Sequence, residues 1–195
     1  MIKQITLANV KGRLWLVALA AMLALSGVAA SVTQTKTAPD QIGNFGKVNE
    51  NYYRGAQPGP QGFARLKQLG VKTVIDLRKD SVSEAPEWVR AAGMQYINIP
   101  LKASRPATPE QTAYFLKLVN DPNNWPVYVH CKGGRHRTGA LTAVYRITHD
   151  GWTADQAYKE MKAYDFEHGF FGGPAAQKKY VYSFYEQQGA GAGQR

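Results

Sequence analysis

Trp125-Pro126-Val127-Tyr128-Val129-His130-Cys131-Lys132-Gly133-Gly134-Arg135-His136-Arg137-Thr138-Gly139 passes from an apolar run, through a glycine-containing loop, into the helix-like run Ala140 to Ile147. A strand, a tight loop and a helix N-terminus in that order form an anion cradle. Loop amides and the helix dipole both present their positive ends there. Cys131 is the chain's one cysteine, and five residues separate it from Arg137. A thiol is mostly protonated at neutral pH; helix N-termini and nearby cations favour the thiolate. Cys131 gains both aids if the helix starts near Arg137 and that side chain folds back over the loop. A thiolate at the centre of such a cradle is a nucleophile aimed at phosphate. A lone cysteine is usually a buried structural thiol. That reading leaves Gly134, Arg137, Thr138 and Gly139 unaccounted for as a group.

The neighbouring residues take roles by their chemistry. Gly133 and Gly134 accept the positive φ that a tight turn demands. Arg137 forks two hydrogen bonds onto phosphate oxygens, which lysine does not reproduce. Thr138 is placed to donate to the sulfur and stabilise it as a leaving thiolate. His130 is expected to orient the loop from behind through ring hydrogen bonds. Lys132, Gly133, Gly134, Arg135 and His136 form the phosphate-binding loop.

Around this centre, strand-like and helix-like runs alternate. Tyr52 to Arg54, Val71 to Leu77, Tyr96 to Ile99 and Val127 to His130 read as strands. Helices are expected over Gln61 to Leu69, Pro86 to Ala92, from Pro109 with Thr108 as cap, Arg137 to Asp150, from Thr153 to Tyr164, and from Pro174. In the third of these, Tyr114, Phe115 and Leu118 are expected to face inward. Such alternation predicts an α/β fold: a mostly parallel sheet of four to five strands with helices on both faces. The cysteine loop then lies at the carboxyl end of a strand, where open α/β sheets hold ligands. Asp76 and Arg78, at a strand end, either orient the loop or form a structural ion pair.

The loop fits His-Cys-x-x-Gly-x-x-Arg-Thr/Ser-Gly, the signature of cysteine-dependent phosphatases. The chain therefore resembles the protein tyrosine phosphatase superfamily. It looks most like the atypical dual-specificity phosphatases of plants and fungi and their bacterial relatives. Their loop reads Cys-Lys-x-Gly-Lys-His-Arg-Thr-Gly; here Arg135 stands where lysine is usual. Tyr53-Arg54-Gly55-Ala56-Gln57-Pro58, Gly70 to Arg78 and Asn124 to His130 support the resemblance, which spans roughly 48–187. It implies a two-step phosphomonoesterase with Cys131, Arg137 and Thr138 as catalytic residues and a phosphocysteine intermediate.

The superfamily usually protonates the leaving group with an aspartate upstream of the cysteine. The corresponding stretch, Ile99-Pro100-Leu101-Lys102-Ala103-Ser104-Arg105-Pro106-Ala107, holds no acid. Three explanations stand. Asp80, Glu84 or Glu110 reaches in from another loop; His136 serves; or the leaving group needs little protonation, as a phosphoanhydride does. Lys102 and Arg105 instead add positive charge as substrate contacts. Together with Lys132, Arg135, His136 and Arg137 they suit a substrate with several phosphates. Members of the resembled group act on inositol pyrophosphates, so inositol polyphosphates, pyrophosphates or phosphoinositides are the alternative substrates. A rhodanese-type sulfurtransferase is disfavoured by the Arg-Thr-Gly exit. A silent phosphate-binding module is the rival from another class.

With 195 residues, 44% of them hydrophobic, the chain suits one domain plus an extension. A net charge of +10 favours anionic partners, here a phosphorylated protein or small molecule. The basic residues are scattered rather than striped, so no nucleic acid is expected. No His/Asp/Glu cluster has ligand spacing, so neither metal nor cofactor is expected. Lys3, Lys11 and Arg13 precede an apolar stretch, Leu14 to Ala30, ending Val28-Ala29-Ala30 before Ser31. Residues 1–30 read as a secretory signal or, uncleaved, a membrane anchor through residues 14–30. Either way the basic residues stay inside and the catalytic domain is exported, periplasmic or membrane-anchored. Residues 31–47 read as a linker, 48–187 as the phosphatase domain and 188–195 as a flexible tail. A single reactive cysteine in an oxidising compartment, with no partner to resolve a sulfenic acid, is in tension with export.

Overall fold

The computed structural model describes residues 42–79, 84–168 and 173–192. The signal or anchor segment, most of the linker, and Asp80 lie outside them. Five strands and six α-helices follow in the order β1 (Gly46–Asn49), β2 (Tyr52–Ala56), α1 (Pro60–Gln68), β3 (Thr73–Arg78), α2 (Ala85–Ala91), β4 (Gln95–Leu101), α3 (Pro109–Val119), β5 (Val127–Cys131), α4 (His136–His149), α5 (Ala154–Ala163) and α6 (Gly173–Ala192). The sheet order is β1-β2-β5-β3-β4. Only β1 runs antiparallel, against β2; the other pairings are parallel.

β5 holds the centre because nothing along it needs water. All five of its residues are buried, and β2 and β3 pair along its two edges. Side chains alternate across a strand. Val127, Val129 and Cys131 therefore join the core beneath α3 and α4, with Tyr52, Ile75, Leu77, Phe115, Leu141 and Tyr145. Tyr128 faces the other side and packs with Phe63, Leu66, Val74 and Val89 under α1 and α2. A third cluster fastens α4 to α5 and α6 through Ala143, Ile147, Ala157, Met161 and Val181. Helix α4, with ten buried residues, is the fold's second spine.

Helix starts follow their caps. Thr108 and Thr153 each accept from the amide three residues on, while Gln111 and Gln156 return the bond. Gly70, Gly93 and Gly151 take positive φ just past α1, α2 and α4, as expected of helix stops.

Four expectations are corrected. The fold begins before residue 48: Ile42 is buried, and β1 starts at Gly46. β1 was not foreseen because a four-residue edge strand has too few positions to display alternation. Tyr114 is exposed, whereas Leu118 is half-buried and packs against the core; the buried stripe of α3 is Thr112, Phe115 and Val119. That 3–4 spacing puts Tyr114 on the outer face. Finally, the backbone of α6 stays helical to Ala192 where a flexible tail was expected. Extending an existing helix costs far less than nucleating one, and alanines alternate there with the glycines. Among the described residues no helix is long and apolar enough to cross a membrane.

Candidate active site

Cys131 ends β5, and α4 begins five residues later at His136. The loop between them is shaped from behind. Three successive carbonyls each accept a hydrogen bond from an element earlier in the chain. Lys132 O accepts from the Gln57 amide at 3.2 Å, Gly133 O from Asn44 Nδ2 at 2.8 Å, and Gly134 O from Arg54 Nη2 at 2.7 Å. In a trans peptide the N–H points opposite to the C=O. Holding these carbonyls outward therefore turns the amides of residues 133–135 inward, towards an anion above Cys131. The first turn of α4 adds its own amides and the positive end of its dipole.

Of the two loop glycines, only Gly134 is conformationally required. It takes φ +67°, and a Cβ there would run into the Gly55 backbone and come within 2.6 Å of Ala56 N. Gly133, expected to share this task, would meet nothing closer than 3.8 Å. The loop thus packs against the end of β2 at backbone distance.

Arg137 is buried and donates from Nη1 to Leu101 O at 3.0 Å and Leu77 O at 3.5 Å. The carbonyl ends of β3 and β4 therefore hold this guanidinium at the mouth of the site. Thr138 Oγ1 is buried and has no hydrogen-bond partner among the described residues. The expected bond to sulfur is thus not formed in this structure.

His130 lies behind the loop, as expected, but is held differently. Neither ring nitrogen has a hydrogen-bond partner among the described residues. The ring stacks on Tyr128 at 5.6 Å and meets Phe63 edge-on at 6.4 Å, with Nδ1 3.8 Å from Asp76 Oδ1. Desolvation outweighs that carboxylate and pushes His130 down to about 4, so the ring is neutral. Asp76 in turn is clasped by Arg78, through Nε at 3.0 Å and Nη2 at 2.9 Å, and by Tyr96 Oη at 2.9 Å. Burial raises the Asp76 carboxyl, but the Arg78 bonds and the Arg78 charge hold it below its usual range. The pair is structural and also backs His130.

The rim is looser. Lys102, Arg105 and Lys132 are exposed. Arg105 is tethered by its carbonyl, which accepts from Gln177 Nε2 of α6 at 3.0 Å. Arg135 pairs at 3.7 Å with Asp165, a carboxylate that sequence reading did not single out. His136 turns away to place its ring edge-on to Phe166 at 5.5 Å. Burial pushes its pKa down, so it is a poor acid at neutral pH. Glu110, opening α3, is held below its ordinary range by its bond with Thr108, so it is ionised and has no proton to give at neutral pH.

The site is thus a mostly parallel sheet with a cysteine loop at the carboxyl end of its central strand, an arginine six positions after the cysteine and a helix leaving the loop. The family model described as "DSP-PTPase phosphatase fused to NAD+ Kinase" matches residues 28–179, and the chain belongs to that family. It is 34% identical over 129 residues to the dual specificity protein phosphatase TpbA of Pseudomonas aeruginosa, covering 66% of this chain and 56% of the relative. It is 31% identical over 116 residues to the inositol diphosphatase DSP4 of Arabidopsis thaliana, covering 53% and 54%. The chain thus spans little more than half the length of these relatives. The crystal structure of P. aeruginosa TpbA superposes with a TM-score of 0.63 at 28% identity, covering 78% of this chain and 93% of the other. The PP-IP phosphatase SIW14 core from S. cerevisiae shares the fold, with a TM-score of 0.65 at 20% identity over 76% and 90%.

The structure also brings in residues that sequence reading missed. Asn44, Arg54 and Gln57 lie far upstream and touch the loop only through the fold. The resembled stretch Tyr53 to Pro58 was the signal that pointed to two of them.

Proposed function

We propose that the chain is a phosphomonoesterase working in two steps. Cys131 Sγ, as thiolate, attacks phosphorus; an S–P bond forms, the P–O ester bond breaks, and the leaving oxygen departs with the electron pair. Arg137 and the inward amides hold the three remaining oxygens as charge shifts, which is preorganised electrostatic stabilisation. A water then attacks phosphorus, breaks the S–P bond and frees inorganic phosphate. Thr138 Oγ1, buried without a partner among the described residues, is free to turn its hydroxyl to the departing sulfur in this second step. The observation that carries this reading is the set of three loop carbonyls held outward beside Cys131. Turnover of an aryl phosphate, blocked by vanadate and lost in Cys131→Ser with phosphate affinity kept, tests it. Full activity of Cys131→Ser overturns it, and a silent phosphate-binding module would show affinity without turnover in the unaltered chain.

A second reading concerns the substrate. The facing turn carries exposed Lys102 and Arg105 and no acid, and Lys132 is exposed beside the loop. These features favour a substrate with several phosphates and a leaving group that needs little protonation. Relatives named inositol diphosphatase agree with it. The Arg135–Asp165 pair offsets part of the charge. If no acid operates, rates on aryl phosphates fall steeply as leaving-group pKa rises; a flat dependence sinks the acid-free idea. Comparing phosphopeptides with inositol polyphosphates then decides the substrate class.

The basic and apolar pattern of residues 3–30 supports export of the domain, with either cleavage after Ala30 or anchoring. N-terminal sequencing of the protein recovered from cell fractions separates those outcomes.

A further inference from the structure

Arg54 heads the largest fully buried side chains, with no exposed surface. One of its nitrogens, Nη2, donates to Gly134 O at 2.7 Å. Nε and Nη1 have no hydrogen-bond partner among the described residues. Its guanidinium carbon lies 3.9 Å over the Tyr164 ring, and Gly46 makes room for that ring, because a Cβ there would overlap Tyr164 Oη. No carboxylate pairs with it among the described residues. Burying a cation without a counter-ion is strongly unfavourable, so a fold retains one where another negative group takes up its field.

The sheet places that field. Arg54 pairs with Val129 on β5, two residues before Cys131, and shares the face of Tyr52 beneath α4. Two strand residues span roughly 6.6 Å, well inside the reach of an unscreened buried charge. The other charged and titratable groups around the loop do not serve as free buried cations. Asp76 and Arg78 neutralise each other on β3, and His130 is neutral beside Tyr128 on β5. His136 on α4 is depressed by burial, burial pushes the Tyr52 hydroxyl on β2 well up so that it stays neutral, and Arg135 and Asp165 pair at the rim. Glu160 on α5 is bound to Arg146. Arg137 is held by the Leu77 and Leu101 carbonyls, and Arg54 lies beneath α4.

We propose that Arg54 is a positioning residue with two actions: it fixes the Gly134 peptide so that the loop amides face inward, and it supplies the buried positive charge that favours the Cys131 thiolate and a bound phosphate. Burial is the largest influence on Arg54 and lowers its pKa; Tyr52, Glu160, Tyr164 and, least of them, Cys131 oppose it. The inference rests on Cys131 being the nucleophile.

The test is the pH dependence of iodoacetamide inactivation, with inorganic phosphate as protectant, alongside kcat and KM for an aryl phosphate. In Arg54→Met the midpoint of inactivation moves up by about one pH unit and kcat/KM falls on the order of 100-fold. In Arg54→Lys the midpoint stays within a few tenths of the unaltered protein, while kcat falls about tenfold because the Nη2 bond to Gly134 O is lost. An unchanged midpoint in Arg54→Met, or equal midpoint shifts in both variants, overturns the charge role. Unaltered kcat in Arg54→Lys overturns the role at Gly134. Should Arg54→Met not fold, Tyr164→Leu exposes the guanidinium to water; a raised midpoint supports the proposal, and an unchanged midpoint and kcat overturn it. Failure of the underlying reading looks different: the unaltered protein would keep its turnover after alkylation of Cys131.

Discussion

The back of the phosphate loop and its rim are built from different materials. Behind the loop, Arg54, Asp76 and His130 are wholly buried, and three backbone carbonyls are pinned by named donors. At the rim, Lys102, Ser104, Arg105 and Lys132 stand in water, and the Arg135–Asp165 pair is about half-exposed. A buried network has one arrangement, whereas a solvated one has many. On the proposed reading, the contrast assigns reaction chemistry to the back and substrate preference to the rim. Changes behind the loop should act on kcat and stability, and changes at the rim on KM.

The largest effect expected is at the centre itself. Cys131→Ser abolishes turnover in a continuous phosphatase assay, and Arg137→Lys loses about 10²- to 10³-fold because the fork is gone. Gly134→Ala comes next: the methyl meets the β2 backbone in a left-handed position, destabilising by about 2–4 kcal/mol on chemical denaturation. His130 makes the back sensitive to acid. Its folded value of about 4 lies below the unfolded value of about 6.5, so the unfolded chain binds the proton more readily. Stability from this group is full above about pH 6.5 and is lost as pH falls towards 4, by about 3 kcal/mol. In His130→Phe, which keeps the stacking, thermal melts should lose that part of the slope. Asn44→Ala strands Gly133 O, lowering stability by about 1 kcal/mol and kcat several-fold. The smallest effect is at the rim: Asp165→Asn releases Arg135 and lowers KM for an inositol polyphosphate by up to about fivefold, with kcat for aryl phosphates unchanged. An equal change of kcat in Asn44→Ala and Asp165→Asn would erase the distinction between back and rim.

The loop, its strand and its helix were legible in the sequence because their signals are local: an apolar run, Cys131 and Arg137 at fixed spacing, Gly151 at the stop. The parallel sheet followed from the alternation of elements. Three kinds of feature were not legible. β1 is too short to show a period. Tyr114 has the composition of a core residue but the wrong phase on α3. The loop's supporting donors are non-local: Asn44 and Arg54 lie 89 and 80 positions before the carbonyls they hold, and nothing in a linear chain marks that pairing. His130 illustrates a further limit, because its place behind the loop was readable while its neutral, stacked state depends on burial.

Those separations bear on how the nucleophile comes into being. The donors that turn the loop amides inward reach their carbonyls only once β2 has docked against β5. Contacts so distant along the chain form late in folding. The anion cradle is therefore a product of completed assembly: its amides are aimed only when the sheet has closed behind the loop.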